Sequence, residues 1–424
     1  MLLKIAIWCN SAFLFNSVSF TLHTGYNQSN ERYCFMDHRI AEFVRLHQND
    51  IIEDWKTLVN MEGSLRQPQY LYSEAEWLKQ KFSEAGVSCE IVTTKENYPP
   101  MLCGVIGADR PGKPVLFGGH FDTVFDKGTF GDNPFRIDEN GLAHGPGVLD
   151  MKGGIIIALW TIKALESVGF SERPVKICFC SDEEGGSDHW PVSAVITEQA
   201  HGCIAAFNME TSPVDYNLCT GRKYVMTGQA VIHGISAHSG NTYEAGRNAI
   251  VEAAHKVIAI QNMNNMELGT HMNPAIISGG TLANAIPGEC RLTFSGRFAY
   301  KSEIERVQKE LKQLFSTPVI EGTSAEYTLT EPFGGFEESE QNLALWEFVN
   351  NVCREEGLPE VGHVFLGGGS DAMGIAEAGT PVLCSCGVRG EWNHTDREYA
   401  VVSSMYERIN MWANVIQHLN RFVS

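Results

Sequence analysis

Two kinds of hydrophobic pattern alternate along this chain. After Met36, DHRIAEFVRLHQNDIIEDWKTLVNM places apolar residues at helical spacing, and EAEWLKQKFSEAGVSCEIV reads as a helix to Gly86 followed by a strand. GKPVLFGGHFDTV is a Gly-bounded apolar run, predicted as a strand ending at His120 and Asp122. GGIIIALWTIKALESVGF, residues 153–170, has helical spacing and stops at Gly169, a common C-terminal signal. RPVKICFCSDEEGG is another apolar strand that runs into Glu183 and Glu184, and HGCIAAFNMET repeats the pattern to Glu210. Strands alternating with helices predict an α/β fold: a mixed, largely parallel sheet with helices on both faces. Ligands of such sheets sit beyond the carboxyl ends of the strands, where these polar residues fall.

Near residue 224 the style changes. YVMTGQAVIHGISAHSG alternates as a half-exposed strand does, and GRNAIVEAAHKVIAIQNM follows as a helix. CRLTFSGRFAY, SEIERVQKELKQLF and SAEYTLTEPF add a strand, a helix and one more strand, which together make a compact α+β unit. From residue 340 the earlier style resumes, with the run Gly367-Gly368-Gly369, the strand TPVLCSCG and a last helix from Ser403. The expected organisation is a discontinuous catalytic domain over 36–223 and 333–424, a domain inserted at 224–332, and an N-terminal extension over 1–35.

A length of 424 residues exceeds what one core usually supports, which agrees with two domains. The net charge of −19, with no clustered basic face, argues against nucleic acid as a partner. It also leaves many carboxylates available for divalent cations. The 12 cysteines follow no zinc-finger spacing, so a thiolate metal site is not expected and a reduced, cytoplasmic setting is. MLLKIAIWCNSAFLFNSVSF loosely resembles an export signal, but Asn10, Ser11, Asn16 and Ser17 interrupt it too often for a membrane span. A weak export signal or a start codon placed too far upstream would each explain it, and the second is preferred.

Taken singly, the polar residues at strand ends have plain explanations. A histidine is usually packed or solvated, Asp150 before MKGG is a natural helix N-cap, and an acidic pair is usually a charged turn. Together, His120, Asp150, Glu184, Glu210 and His394 offer two imidazoles and three carboxylates at strand-to-loop junctions of one sheet. Such an oxygen- and nitrogen-rich set suits Zn²⁺ and similar borderline ions. It exceeds the three protein ligands usual for one catalytic zinc and fits two ions that share a carboxylate. A nicotinamide-dependent enzyme is a weaker reading, because no G-x-G-x-x-G opens a helix after the first strand.

HFDTV, GPGVLDMKGG, SDEEGGS, METS, GISAHSG, GGTLANAIPGE, GGGSDA and NHTDREY occur in an order and at spacings that resemble the M20 metallopeptidase family. That family includes glutamate carboxypeptidases, acetylornithine deacetylases and succinyl-diaminopimelate desuccinylases. The resemblance runs from about residue 40 to the C-terminus. It implies the zinc-dependent exopeptidase fold with an inserted dimerisation (lid) domain, two Zn²⁺ per subunit (Co²⁺ or Mn²⁺ as substitutes) and a homodimer. Asp150 would bridge the ions, with His120 and Glu210 on one and Glu184 and His394 on the other. Asp122 would orient the His120 imidazole, and Glu183 would act as general base on a metal-bridging water. His238 would donate to the oxyanion of the partner subunit's site, while Asn284, Arg297 and the Gly368–Gly369 turn would grip a substrate carboxylate. A cis peptide at Asp150-Met151 is also implied.

The reaction so implied is hydrolysis of an amide bond next to a free carboxylate in a small peptide, of the carboxypeptidase or dipeptidase type. The alternative is deacylation of N-acyl amino acids. Two departures from the family pattern stand out. Gly145-Pro146-Gly147 replaces the common Gly-Arg-Gly, which bears on local packing more than on chemistry. TSPVDYNLCT after Glu210 carries no basic residue, which puts strict glutamate specificity in doubt.

Overall fold

Helix Gly153–Ser167 is apolar around its circumference, and the fold buries it on every side: Ile155, Ile156, Ile157, Leu159 and Trp160 are 4% exposed or less. In the computed structural model, which describes residues 38–95, 98–185 and 190–423, this helix packs against Val402–Gln417, His38–Leu46 and Gln48–Val59. The extension expected over 1–35 and the last part of the SDEEGGS motif lie outside the described residues.

The central sheet has six strands in the order Ser88–Val92, Met101–Ile106, Val175–Cys180, Val115–His120, Ala205–Asn208, Val382–Leu383. The last four pair in parallel, and the first two are added antiparallel. Successive residues of a strand point to opposite faces, and two cores follow from that. Phe117, Ile177, Phe179 and Phe207 join the core that holds helix Gly153–Ser167. Leu116, Cys178, Cys180 and Ala206 join a second core that includes Val192 and Ile196 of helix Trp190–Ala200. The fold is thus a mixed, largely parallel sheet with helices on both faces. Its register sets His120 opposite Cys180 and Gly118 opposite Asn208. His120, the turn carrying Glu183 and Glu184, and the Met209-Glu210 segment therefore emerge side by side.

A separate antiparallel sheet runs His271–Gly279, Glu289–Phe298, Tyr224–His233, Ser324–Leu329. A third core spans Tyr224 to Phe315 and draws on helices Ala249–Asn262 and Lys301–Ser316. Glu289–Phe298 alternates buried and outward positions cleanly, as its sequence predicts. Strand His271–Gly279 was not anticipated. Pro274 interrupts it, the register shifts between Pro274 and Ile276, and both Ile276 and Ile277 lie exposed at the sheet edge.

A small antiparallel sheet joins Gly390–Glu391, Tyr399–Val401, Leu142–His144 and Arg136–Ile137. Strands of two or three residues have no readable period, so none was predicted. This sheet ties the chain before Asp150 to the chain around His394. Among the described residues, no helix is long and apolar enough to cross a membrane.

Candidate metal centre and catalytic site

His120 ends a strand of the sheet that is buried throughout, and its side chain has no exposure. Its Nδ1 lies 3.1 Å from the Asp122 carbonyl and 3.3 Å from an Asp122 carboxylate oxygen, an arrangement that fixes the ring. Its Nε2 faces Asp150 Oδ1 and Glu210 Oε1, each at 3.3 Å, yet makes a hydrogen bond to neither. A buried imidazole nitrogen aimed at two carboxylates without a hydrogen bond is the geometry of a donor set arranged around a cation.

Asp150 opens towards a second group of donors. Its Oδ2 accepts from Asn393 Nδ2 at 2.9 Å and lies 3.1 Å from His394 Nε2, which is also 3.0 Å from Glu184 Oε1. The Asp150-Met151 peptide is cis. Helix Gly153–Ser167 starts directly after this loop. Gly154 has no Cβ because the Met209 carbonyl stands where one would be, so the loop can lie close to the Glu210 segment. Ligand atoms of His120, Asp150 and Glu184 fall within 4.8 Å of one another, as do those of His120, Glu183 and Glu210.

Glu183 and Glu184 sit on a single 3₁₀ turn whose backbone is anchored from beneath. The two oxygens of the buried Asp122 accept from the N–H groups of Glu183 and Glu184, at 3.3 and 3.1 Å. One carboxylate therefore orients the His120 ring and sets the turn that presents both glutamates.

The electrostatics follow from three features: burial, crowded carboxylates and two imidazoles. Burial, together with Glu210 and Glu184, drives the Glu183 carboxyl well above the carboxylate range against the pull of His120. Burial raises Glu184 to about 7, although its bond to His394 opposes this. For Asp150 burial works the same way, but His120 and His394 outweigh it and hold the group ionised. Bonds to Asp150 and Glu184 lift His394 to about 11. The two imidazoles offset part of the crowded negative charge, and divalent cations would offset it further.

Several residues that no motif position had singled out complete the site. Glu398 is buried, and its carboxylate accepts from the N–H groups of Gly147, Leu149 and Asp150 at 3.3, 2.8 and 3.0 Å. Lys152, fully buried, pairs with the equally buried Glu74 at 2.5 Å and donates to the Leu58 carbonyl, which pins the far side of the same loop. Arg222 donates from Nη1 to the Gly369 carbonyl at 3.0 Å, while its Nε and Nη2 are shut off from solvent without a partner. Glu398 was legible in principle, since it lies inside NHTDREY. Arg222 stands one residue beyond the TSPVDYNLCTG window.

The remaining expected site residues lie apart from this cluster. His238 is exposed in a two-residue strand opposite Ala285, and Ser239 N–H donates to the Asn284 carbonyl at 2.9 Å. His238 and Asn284 therefore travel together. The N–H groups of Gly240 and Asn241 donate to His238 Nδ1 at 3.1 and 3.2 Å, which leaves Nε2 to carry the ring proton and face outward as a donor. Arg297 is exposed at the other end of strand Glu289–Phe298, opposite Val225 and His271, roughly 25 Å along the sheet from Glu289. Gly368 and Gly369 form the turn after strand His363–Leu366, which pairs in parallel with Leu218–Arg222. One chain thus assembles His120, Asp122, Asp150, Glu183, Glu184, Glu210 and His394, and does not bring His238 or Asn284 to them.

Comparison with known proteins agrees with this architecture. Residues 116–418 match the family described as Peptidase family M20/M25/M40. Carboxypeptidase G2 of Pseudomonas sp. (strain RS-16) is 28% identical over 379 residues, which cover 88% of this chain and 90% of that protein. A succinyl-diaminopimelate desuccinylase of Alkalilimnicola ehrlichii is 26% identical over 289 residues, covering 65% of this chain and 76% of that one. Among solved structures, the aminopeptidase PepT from Bacillus cereus has a TM-score of 0.76 at 20% identity, over 88% of this chain and 99% of its own. The di-peptidase Dug1p from Saccharomyces cerevisiae has a TM-score of 0.65 at 15% identity, over 91% and 98%. The matched stretch begins within the strand that carries His120 and extends past His394, so that it includes every member of the donor cluster, and this chain belongs to peptidase family M20/M25/M40.

Proposed function

We infer that the protein is a two-zinc hydrolase that cleaves an amide bond next to a free carboxylate in small peptides, as a carboxypeptidase or dipeptidase does. The observation that carries this reading is the buried His120 Nε2, which faces Asp150 and Glu210 without bonding to either, with the Glu183 carboxylate alongside. His120, Glu210, Glu184 and His394 would hold the ions, with Asp150 between them. Bound there, two zinc ions would lower the pKa of a water towards neutrality and polarise the scissile carbonyl. Glu183 takes the proton of the attacking water and returns it to the departing nitrogen.

The groups for the substrate carboxylate and the oxyanion are distributed differently. His238, with its proton on the outward Nε2, and the attached Asn284 are suited to serve a neighbouring subunit, while Arg297 and the Gly368–Gly369 turn are assigned to the substrate carboxylate. This supports a homodimer formed through residues 224–332, with 36–223 and 333–424 as the catalytic domain. Exposed Ile276 and Ile277 at the edge of the four-stranded sheet, with exposed Leu282 in the turn that follows, give that contact an apolar component.

The test is hydrolysis of a panel of dipeptides and N-acetyl amino acids, with and without phenanthroline. Turnover of dipeptides that chelation abolishes and zinc restores is expected. Turnover indifferent to chelation would end the metal reading, and exclusive turnover of N-acyl amino acids would favour the deacylase instead.

A further inference from the structure

The second core of the central sheet, on the face away from helix Gly153–Ser167, holds a pair of thiols that the donor cluster does not use. Glu90, Cys103 and Cys178 face one another in a row across the strands Ser88–Val92, Met101–Ile106 and Val175–Cys180. The strands of Cys103 and Cys178 run antiparallel. Facing residues of such a pair have Cα atoms ~4.5–5.5 Å apart, inside the ~4.4–6.8 Å that a disulfide spans. The two sulfurs already lie 3.8 Å apart. Side-chain rotation, rather than a shift of either strand, is what a bond between them requires.

A cavity of about 530 Å³ opens over this row and shares no residue with the metal centre. Ser88, Glu90, Val105, Lys176 and Cys103 line it, and Cys178 stands behind Cys103. The Lys176 ammonium donates to the Gln199 carbonyl and so ties the cavity wall to the end of helix Trp190–Ala200. Cys103 therefore has a path to small solutes that Cys178 lacks. Contact with Cys103, together with burial, pushes the Cys178 thiol well up, so it stays protonated while its neighbour reacts. Another facing pair, Cys219 and Cys384, is placed differently. Both are fully buried, Cys219 donates to the Gly221 carbonyl at 3.1 Å, and Cys384 lies 3.5 Å from Ser370 Oγ.

We propose that Cys103 and Cys178 form a peroxide-sensitive modification site, in which Cys103 is oxidised through the cavity and Cys178 resolves it as a cross-strand disulfide. The Cys103 sulfur attacks one oxygen of hydrogen peroxide and the O–O bond breaks. Cys103 becomes a sulfenic acid, and the departing hydroxide leaves as water with the thiol proton. The Cys178 sulfur then attacks the Cys103 sulfur and displaces the hydroxyl, which leaves as a second water with the Cys178 proton. Two electrons pass from the thiol pair to the peroxide. The bond would clasp strand Met101–Ile106 to the strand that leads into the Glu183–Glu184 turn.

The experiment treats the full chain with hydrogen peroxide, alkylates the remaining thiols and maps the cysteines by mass spectrometry without reduction. A linked Cys103–Cys178 peptide should accumulate at least roughly tenfold faster than any other cysteine pairing and disappear with dithiothreitol. In Cys178→Ser, dimedone should capture Cys103 as its sulfenic acid. Cys103 left reduced while other cysteines oxidise would overturn the proposal, as would equal capture by dimedone in wild type and Cys178→Ser. Should the serine variant not fold, the wild-type map decides alone. In denaturant, where the strands no longer align the sulfurs, the preference should vanish. The same preference there would mean that the fold does not create it, and the site would be withdrawn.

Discussion

Glu183 and Glu184 share a turn, and the same Asp122 carboxylate holds the backbone of both, yet their side chains have different neighbours. Glu184 Oε1 meets His394 at 3.0 Å, and among the described residues no comparable bond constrains Glu183, whose carboxyl lies with His120 and Glu210. The pair is therefore expected to respond unequally to the same substitution. Glu183→Gln should retain zinc at wild-type stoichiometry and lose turnover by roughly 10²–10⁴, the usual worth of a positioned general base. Glu184→Gln should weaken zinc binding by at least roughly tenfold, since an amide oxygen is a poorer ligand than a carboxylate. Elemental analysis after dialysis, alongside kcat, distinguishes them, and the opposite pattern would exchange their roles. This residue-level division was legible to the extent that strand ends and acidic pairs are visible in a sequence. Glu398 and Asn393 stand inside NHTDREY, but their tasks were not readable from it, because these are defined by where the fold carries a loop some 240 residues away.

The elements that bear the site differ in how plainly they announce themselves. Gly153–Ser167 and the strands Val115–His120 and Val175–Cys180 are long apolar runs bounded by glycine, proline or charge, so composition alone placed them. The amphipathic opening was also readable, although the helix breaks at His47. The short sheet around Leu142–His144 and Tyr399–Val401 was invisible, because its strands exist only through pairing across the fold. Lys152 and Glu74 belong to this hidden category. They join the loop after Asp150 to helix Pro68–Glu84 without any exposure. Lys152→Met should destabilise the protein by about 3–5 kcal/mol, since Glu74 would remain buried without its partner. The double variant Glu74→Leu/Lys152→Met should recover more than half of that loss. Denaturant unfolding of the zinc-free proteins measures both, and a double variant no better than the single would mean that Glu74 matters chiefly as acceptor for Gly63 N–H, at 2.8 Å.

At the scale of the molecule, a catalytic sheet and an inserted sheet carry complementary parts of one proposed site. If the chain pairs as proposed, His238→Ala and Glu183→Gln each remove a group that one site needs, from different parts. In a mixed dimer, one of the two sites combines an intact Glu183 with an intact His238. Mixing the inactive variants under conditions where subunits exchange should restore activity to roughly a quarter of sites, the value for random pairing. Absence of recovery where exchange is independently demonstrated would mean that His238 acts within its own chain or has no part in the reaction.

The grip of Glu398 on the Asp150 loop also has a consequence in time. The carboxylate that accepts from the Asp150 N–H lies 248 residues further along the chain. At ordinary rates of synthesis, roughly 12–50 s pass between the appearance of Asp150 and that of Glu398. During that interval the central strands can already form, since their partners are close in sequence, but the loop lacks the acceptor for three of its N–H groups. His394 emerges from the ribosome only a moment before Glu398. The donor cluster is therefore completed late, and a nascent chain halted before residue 394 would lack His394 and the Glu398 acceptor, as well as the core helix Val402–Gln417.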